Sequence, residues 1–487
     1  MTSLKNESNR EHVGESVPRG VAFLFLSRIV MLLCGLSLQV VLARLLGVEQ
    51  YGLYGLILSI LVWFELFMMG IGRASSMQVA KSPSEAYAFY PKALKVQSIV
   101  GLTIMAFSMS VALFLPHLFN RPGAISYFLL AFIDIPLMGY FYLFQGMLNG
   151  LQFYKYQANN MSLYYVSRLL ISVLLVKMGL SLTGAIVANL VSSLIGILLA
   201  SRIFIISVDK TRRAATITVR GLLRSTVPFI ALPIIFNILA FVNLWIVGAM
   251  ASEMELGIYN AAFSLSRIML VLFDSVTTAL FPAIVVAISA VEFSKASRLF
   301  HQSSRFLLLI IAPSCLFLVF SARTILEIFG GQYSAGSDLL ILLVCGFSLL
   351  SFLTLFNYVH MASNRFWKVI TINIFAAVLE VPLSILLVRR VGPAGAAASL
   401  VIASLVACAL QLALMFRKFG LPISLESFLK IVASAGICGA ILFPIRELWL
   451  LIPAYLICFS LYIAIIIFLG EFKPGEIRYW VQLLRKR

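Results

Sequence analysis

Seven ionisable side chains, Arg28, Glu65, Asp134, Arg168, Arg267, Asp274 and Glu380, stand inside runs of otherwise apolar residues. A charge at the middle of a bilayer costs about 2.5–3.5 kcal/mol on insertion scales, so such groups face protein or water rather than lipid. Two arrangements are open to each of them: the wall of a polar cavity, or an ion pair that fixes helix packing. Three arginines and four acids are many for packing alone, and the set points to an aqueous cavity. Arg267 and Asp274 are seven residues apart, which returns to one helix face after two turns, roughly 10 Å along the axis. Ser264 and Thr278 fall near the same stripe, and Arg28 shares a side with Gly35 and Gln39. Arginine suits a phosphate, because its planar fork donates two parallel hydrogen bonds and keeps its charge when buried. Arg28 and Arg267 are therefore the leading substrate-binding candidates, joined by Arg168 and Asp274. For Arg28, near the start of its run, snorkelling to the interface is the alternative. Glu65, Asp134 and Glu380 are candidates for ion coupling, and Asp274 is a further carboxylate able to carry a proton.

The elements that must hold these residues follow from composition. The chain has 487 residues, 61% hydrophobic and 11% charged, with a mean hydropathy of +1.03. A soluble domain has about 45–50% apolar and about 25% charged residues, so a soluble enzyme, a disulfide scaffold and a disordered chain are excluded. Crossing a bilayer takes about 20 apolar residues. Apolar runs of about that length occupy 21–43, 51–71, 96–116, 124–144, 158–176, 178–201, 226–250, 257–282, 306–322, 339–359, 367–388, 391–416 and 448–470, with a shorter one at 431–445. The expected fold is an all-α polytopic membrane protein with fourteen transmembrane helices. With the N-terminus in the cytoplasm, 27 of the 37 Lys and Arg fall in cytoplasmic segments, 7 fall on the other side and 3 lie within spans. That asymmetry supports the count and places both termini inside. The net charge of +18 is then a topology signal, and nucleic acid is not an expected partner. The six cysteines lie in apolar runs without paired spacing, which argues against disulfides and zinc.

An internal repeat relates the two halves. Tyr51-Gly52-Leu53-Tyr54-Gly55 is echoed by Leu256-Gly257-Ile258-Tyr259-Asn260, Phe153-Tyr154-Lys155 by Phe366-Trp367-Lys368, Val176-Lys177 by Val388-Arg389, and Gly184 by Gly395. Six spans separate equivalent positions, so the copies run parallel, as in transporters built from two similarly oriented bundles. The expected organisation is a tail at 1–20, an N-lobe at 21–206, a cytoplasmic linker at 207–225, a C-lobe at 226–416, two extra helices at 417–470 and a tail at 471–487. The lobes are expected to flank a central cavity. Arg168 and Glu380 are repeat equivalents of opposite sign. They pair either across the cavity or each within its own lobe. Gly146-x-x-x-Gly150 has the spacing of a helix-packing motif but lies at a run's end, where a turn is expected. The small residues of 392–399 are expected to let their helix approach a neighbour closely. His12, His117, His301 and His360 lie in tails or near span ends and are expected to be solvated.

Arg44-Leu-Leu-Gly47-Val-Glu49-Gln-Tyr51-Gly52-Leu-Tyr54 resembles the opening of polysaccharide flippases of the Wzx type. Gly257-Ile-Tyr259-Asn260-Ala-Ala and Ala279-Leu-Phe-Pro282 resemble the ends of the eighth helix in the same multidrug/oligosaccharidyl-lipid/polysaccharide superfamily. The resemblance implies an undecaprenyl-pyrophosphate-linked oligosaccharide, an O-antigen or exopolysaccharide unit, moved across the bacterial inner membrane by alternating access. It also implies membrane lipids and polysaccharide polymerase or export machinery as partners. The same superfamily offers two alternatives, a MATE-type small-molecule exporter and a lipid II flippase. Nothing in the chain suggests an enzyme: there is no Walker A pattern, nucleophile elbow or metal-ligand cluster. A membrane glycosyltransferase would need a larger extramembrane loop. No cofactor is expected; the energy sources open to such a protein are a proton or sodium gradient or the membrane potential.

Overall fold

A computed structural model of the protein describes residues 2–208, 219–270, 293–363, 365–442 and 447–471, with positions 284, 287, 288, 444 and 445 besides. Asp274, Thr278 and most of the linker lie outside the described residues. In hydrocarbon every backbone polar group must be satisfied within its own segment, and long apolar runs meet that demand as helices. Accordingly the described residues hold helices and no strand. They are α1 (Thr2–Lys81), α2 (Ala86–Ala112), α3 (Ile125–Phe132), α4 (Asp134–Gly150), α5 (Tyr154–Leu175), α6 (Ser181–Ser207) and α7 (Val219–Met250). There follow α8 (Glu253–Ser266), α9 (Phe293–Phe320), α10 (Ser337–Ala362), α11 (Phe366–Val391), α12 (Pro393–Phe419), α13 (Leu425–Ala440) and α14 (Leu448–Phe468).

The described residues contain 10 helical stretches long and apolar enough to cross a membrane, against fourteen expected from the sequence. The difference has identifiable sources. Phe23–Lys81 is 59 residues long, and within it Gly47 adopts φ 77°, ψ 172°, a left-handed break that glycine makes without steric penalty. Tyr154–Ile206 spans 53 residues and is interrupted by a π turn at Val176–Leu180. The run 257–282 continues past the described residues, and α13 has only 16 residues.

By its internal packing the chain divides into two compact units. Among the described residues, one consists of those up to Gly47 with Tyr54–Ile234; the other consists of Val48–Leu53 with those from Ile235 to 471. The core of the first unit gathers Ile71, Ala74, Phe89, Phe144, Met147 and Phe204 from α1, α2, α4 and α6. Here α1 and α4 approach to backbone distance. A methyl group on Gly146 would lie 2.1 Å from the Gly72 carbonyl oxygen, and one on Gly150 2.6 Å from that of Ser76. The Gly146–Gly150 pair is therefore a packing motif and not the turn expected from its place in the run. Gly146→Val is expected to destabilise the protein by about 3 kcal/mol, since neither backbone can yield. A thermal midpoint in detergent equal to that of the wild type would contradict this contact.

In the second unit the two members of the sequence echo pack on each other. A methyl on Gly52 would meet the Gly257 nitrogen at 2.6 Å, and Asn260 Nδ2 donates to the Tyr51 carbonyl at 3.2 Å. The buried Tyr51 ring stands edge-on to Tyr333, centroids 6.0 Å apart. α8 starts at a capping box in which Ser252 and Glu255 satisfy each other's exposed amides. The small residues that open α12 sit tightly on α11, as their size implies: a methyl on Gly395 would come 2.3 Å from the Leu387 carbonyl carbon. α13 and α14 pack on α9 through Ile431, Cys438, Cys458 and Tyr462, and Tyr462 donates to the Leu309 carbonyl at 2.9 Å. His360 departs from its expected solvation. It is 1% exposed, and a ring nitrogen lies 3.3 Å from the Gln411 carbonyl oxygen, because α12 covers the end of α10 that the sequence leaves at a span boundary.

Candidate functional site

The ionisable residues fall into two groups, one in each unit. In the first unit α1, α4 and α5 bring Glu65, Asp134 and Arg168 into one electrostatic neighbourhood. Glu65 and Arg168 stand inside their helices, and Asp134 opens α4; packing of the apolar positions around them fixes where each charge stands. Glu65 is 8% and Asp134 1% exposed. Tyr142 donates its hydroxyl to Glu65 Oε2 at 3.4 Å, and Arg168 Nη2 donates to the Tyr54 hydroxyl at 3.3 Å. The rings of Phe141, Tyr164 and Tyr165 follow, with centroids 4.9 Å apart for Phe141 and Tyr164 and 5.1 Å for Tyr164 and Tyr165. The Ser193 hydroxyl is the hydrogen-bonding neighbour of Asp134, and the Nε of Arg168 has no acceptor.

The second unit treats charge differently. Glu380 of α11 is fully buried, with the Asn243 carboxamide as its hydrogen-bonding neighbour. The hydroxyl of Tyr259 is a second polar neighbour; no arginine or lysine bridges it among the described residues. Arg267 caps the C-terminal end of α8 and is half-buried. Its guanidinium carbon sits 4.5 Å from the centroid of the Phe241 ring and 5.8 Å from that of Phe263. Among the described residues no carboxylate bridges Arg267. A planar cation stacked on an aromatic face, with its N–H edges left to donate, is arranged to receive an anion.

Of the residues singled out in the sequence, the structure thus gathers Glu65, Asp134 and Arg168 and gives Arg267 and Glu380 to the other unit. Arg28 is exposed on the first part of α1. Arg168 has acids of its own unit, Glu65 and Asp134, as electrostatic neighbours. The tyrosines were missed. Tyr54 and Tyr259 hold equivalent places in the echo, and each stands beside the ionisable residue of the matching helix, Arg168 in one unit and Glu380 in the other. The echo marked those tyrosines as repeated without assigning them a task. Asn243, with Pro228, Pro233 and Asn237, marks its span in the sequence as a kinked, partly polar gate or a plain packing kink, without pointing to Glu380.

Comparison with known proteins agrees with this architecture. Residues 17–288 match the family described as polysaccharide biosynthesis protein. No curated protein matches. Among solved structures, the lipid II flippase MurJ in an inward closed conformation is 16% identical, with a TM-score of 0.72 over 93% of this chain and 99% of that one. An inward-facing multidrug resistance MATE family transporter of the MOP superfamily is also 16% identical, with a TM-score of 0.67 over 82% of this chain and 98% of that one. A MOP superfamily transporter from Pyrococcus furiosus, described as having a binding pocket of reverse polarity, gives 0.60 at 16% identity over 82% and 96%. At such identity the likeness is one of fold: that of a multi-pass helical membrane protein.

Proposed function

Because the chain belongs to the polysaccharide biosynthesis protein family, we propose that it is a flippase that carries an undecaprenyl-pyrophosphate-linked oligosaccharide across the bacterial inner membrane by alternating access. The observation that carries this reading is Arg267: a half-buried guanidinium, stacked on Phe241 and bridged by no carboxylate among the described residues. A pyrophosphate supplies the negative charge that offsets the cost of holding such a cation inside a membrane protein. Arg28 and Asp274 belong to the same proposal as further contacts of the headgroup. The fourteen-helix count, with both termini in the cytoplasm, is part of it too. A lipid-linked cargo is favoured over a small cation because the likeness to a lipid II flippase extends over 93% of the chain. The test is a deletion strain. Lipid-linked oligosaccharide accumulating on the cytoplasmic leaflet is the expected result; normal surface glycan with altered dye resistance points instead to a small-molecule exporter.

Glu380 is the residue we assign to energy coupling. A fully buried carboxylate with no basic partner among the described residues is a natural acceptor for a cation moving down its gradient. Glu380→Gln keeps the shape and removes the charge. In proteoliposomes with an imposed proton or sodium gradient, wild-type transport is expected to rise with the gradient, and that of Glu380→Gln is expected to stay at its ungraded level. Equal stimulation of both would remove Glu380 from the coupling role.

A further inference from the structure

We propose that Cys315 and Cys345 are a site of reversible oxidation, at which an organic hydroperoxide joins α9 to α10 through a disulfide. The inference goes beyond transport and stands on the second unit alone. Its first ground is juxtaposition. The spacing of the two cysteines in sequence shows no pairing; the fold brings them together. α9 and α10 pack side by side, and the rings of Phe300 on α9 and Phe356 on α10 meet with centroids 6.0 Å apart. Toward the loop that joins the two helices, the Cys315 and Cys345 thiols are hydrogen-bonding neighbours. The Ser348 hydroxyl, one turn along α10 from Cys345, is a second neighbour of Cys315, so Cys315 meets a face of α10 and not a single side chain. Thiols already in contact close to a bond by side-chain rotation, without the backbone movement that distant cysteines require.

The second ground is access. Cys315 and Cys345 are both half-buried, whereas Cys408, Cys438 and Cys458 are buried. Cys408 donates its thiol to the Leu349 carbonyl at 3.4 Å. Cys438 and Cys458 also neighbour each other, but both are closed into the core that α13 and α14 form with α9. Cys34 is half-buried on α1, in the other unit. The pair at 315 and 345 thus combines a thiol neighbour with an open side. Both cysteines stand inside apolar runs, so the oxidant that reaches them is one that enters hydrocarbon, as an oxidised lipid does. One thiol takes the outer oxygen of the hydroperoxide and becomes a sulfenic acid, releasing an alcohol. The second thiol then attacks that sulfur: the S–S bond forms, the S–O bond breaks and water leaves. In sum the two thiols lose two hydrogens, and the hydroperoxide is reduced to alcohol and water. A dithiol restores both cysteines by exchange. Pro313 lies inside α9, two residues before Cys315, and deprives its turn of a backbone hydrogen bond. The disulfide therefore fixes α9 to α10 just past the turn that the proline weakens.

The test treats the purified full chain in nanodiscs with cumene hydroperoxide and maps its cysteines by peptide mass spectrometry. The expected result is the loss of two of the six free thiols and a peptide pair joined through Cys315 and Cys345, which dithiothreitol separates. Cys315→Ser and Cys345→Ser are each expected to form no bond that the reductant reverses, and Cys438→Ser to form the same bond as the wild type. Should a serine variant fail to fold, the wild-type cross-link decides, because it is read on the native sequence. A treated wild type without a Cys315–Cys345 bond overturns the proposal. So does a bond between Cys438 and Cys458 in its place, or a reversible bond in either of the first two variants. None of these readouts involves a cargo, so their outcome is independent of the flippase reading.

Discussion

Arg267→Gln is expected to lower translocation of the lipid-linked oligosaccharide about 100-fold while the protein still folds. The magnitude follows from the chemistry of the contact. Hydrogen bonds to charged groups are worth about 1.5–3 kcal/mol each, and a bidentate guanidinium–phosphate contact makes two. Losing about 3 kcal/mol corresponds to roughly two powers of ten in binding. Stability is expected to change little, because the folded protein gives Arg267 aromatic stacking on Phe241 and Phe263 rather than a carboxylate whose loss would strand a charge. Arg267→Lys should fall between: it keeps a point charge but loses the planar fork and most of the stacking. Transport by the two variants, measured by surface glycan in a complemented deletion strain, distinguishes a phosphate contact from general positive charge. Lysine as good as arginine would mean that only the field matters, and glutamine as good as arginine would remove the residue from the site.

Much of this architecture was readable from residue order because its cause is local. Whether a run such as 339–359 forms a helix depends on its own apolarity, and the structure forms α10 there. What could not be read depends on a neighbour distant in sequence. Gly146 and Gly150 sit at the end of their run, and only the approach of Gly72 and Ser76 on α1 turns them into a packing surface. His360 is buried because α12 folds over it. The site shows the same division. Charges within apolar runs are conspicuous, so Glu65, Asp134, Arg168, Arg267 and Glu380 were all visible. Their partners were not, since a tyrosine or an asparagine in a span is compatible with packing against anything. Tyr54 and Tyr259 are the exception: repetition made them visible, and only the fold gave each an ionisable neighbour.

Those two tyrosines frame the second large effect, which concerns Arg168 and its repeat equivalent Glu380. The positions match, but their surroundings are opposite. Arg168 stands between Tyr54 and two acids, whereas Glu380 has only an uncharged amide and a hydroxyl for neighbours. Removing one member of a buried charged group strands the others, at about 3–5 kcal/mol. Arg168→Leu is therefore expected to lower the thermal midpoint sharply and to deplete the protein from membranes. Adding Glu65→Gln and Asp134→Asn should restore stability to within about 1 kcal/mol, because the stranded charges go with the cation. At Glu380 the sign reverses. Its charge has no compensating partner among the described residues, so Glu380→Leu should leave stability unchanged or raise it, and abolish gradient-driven transport. A side chain whose removal stabilises the fold yet ends transport is one that stability does not require. If Glu380→Leu instead destabilises the protein as much as Arg168→Leu does, then its carboxylate is a structural member of α11's packing, and the coupling role assigned to it fails on the same measurement.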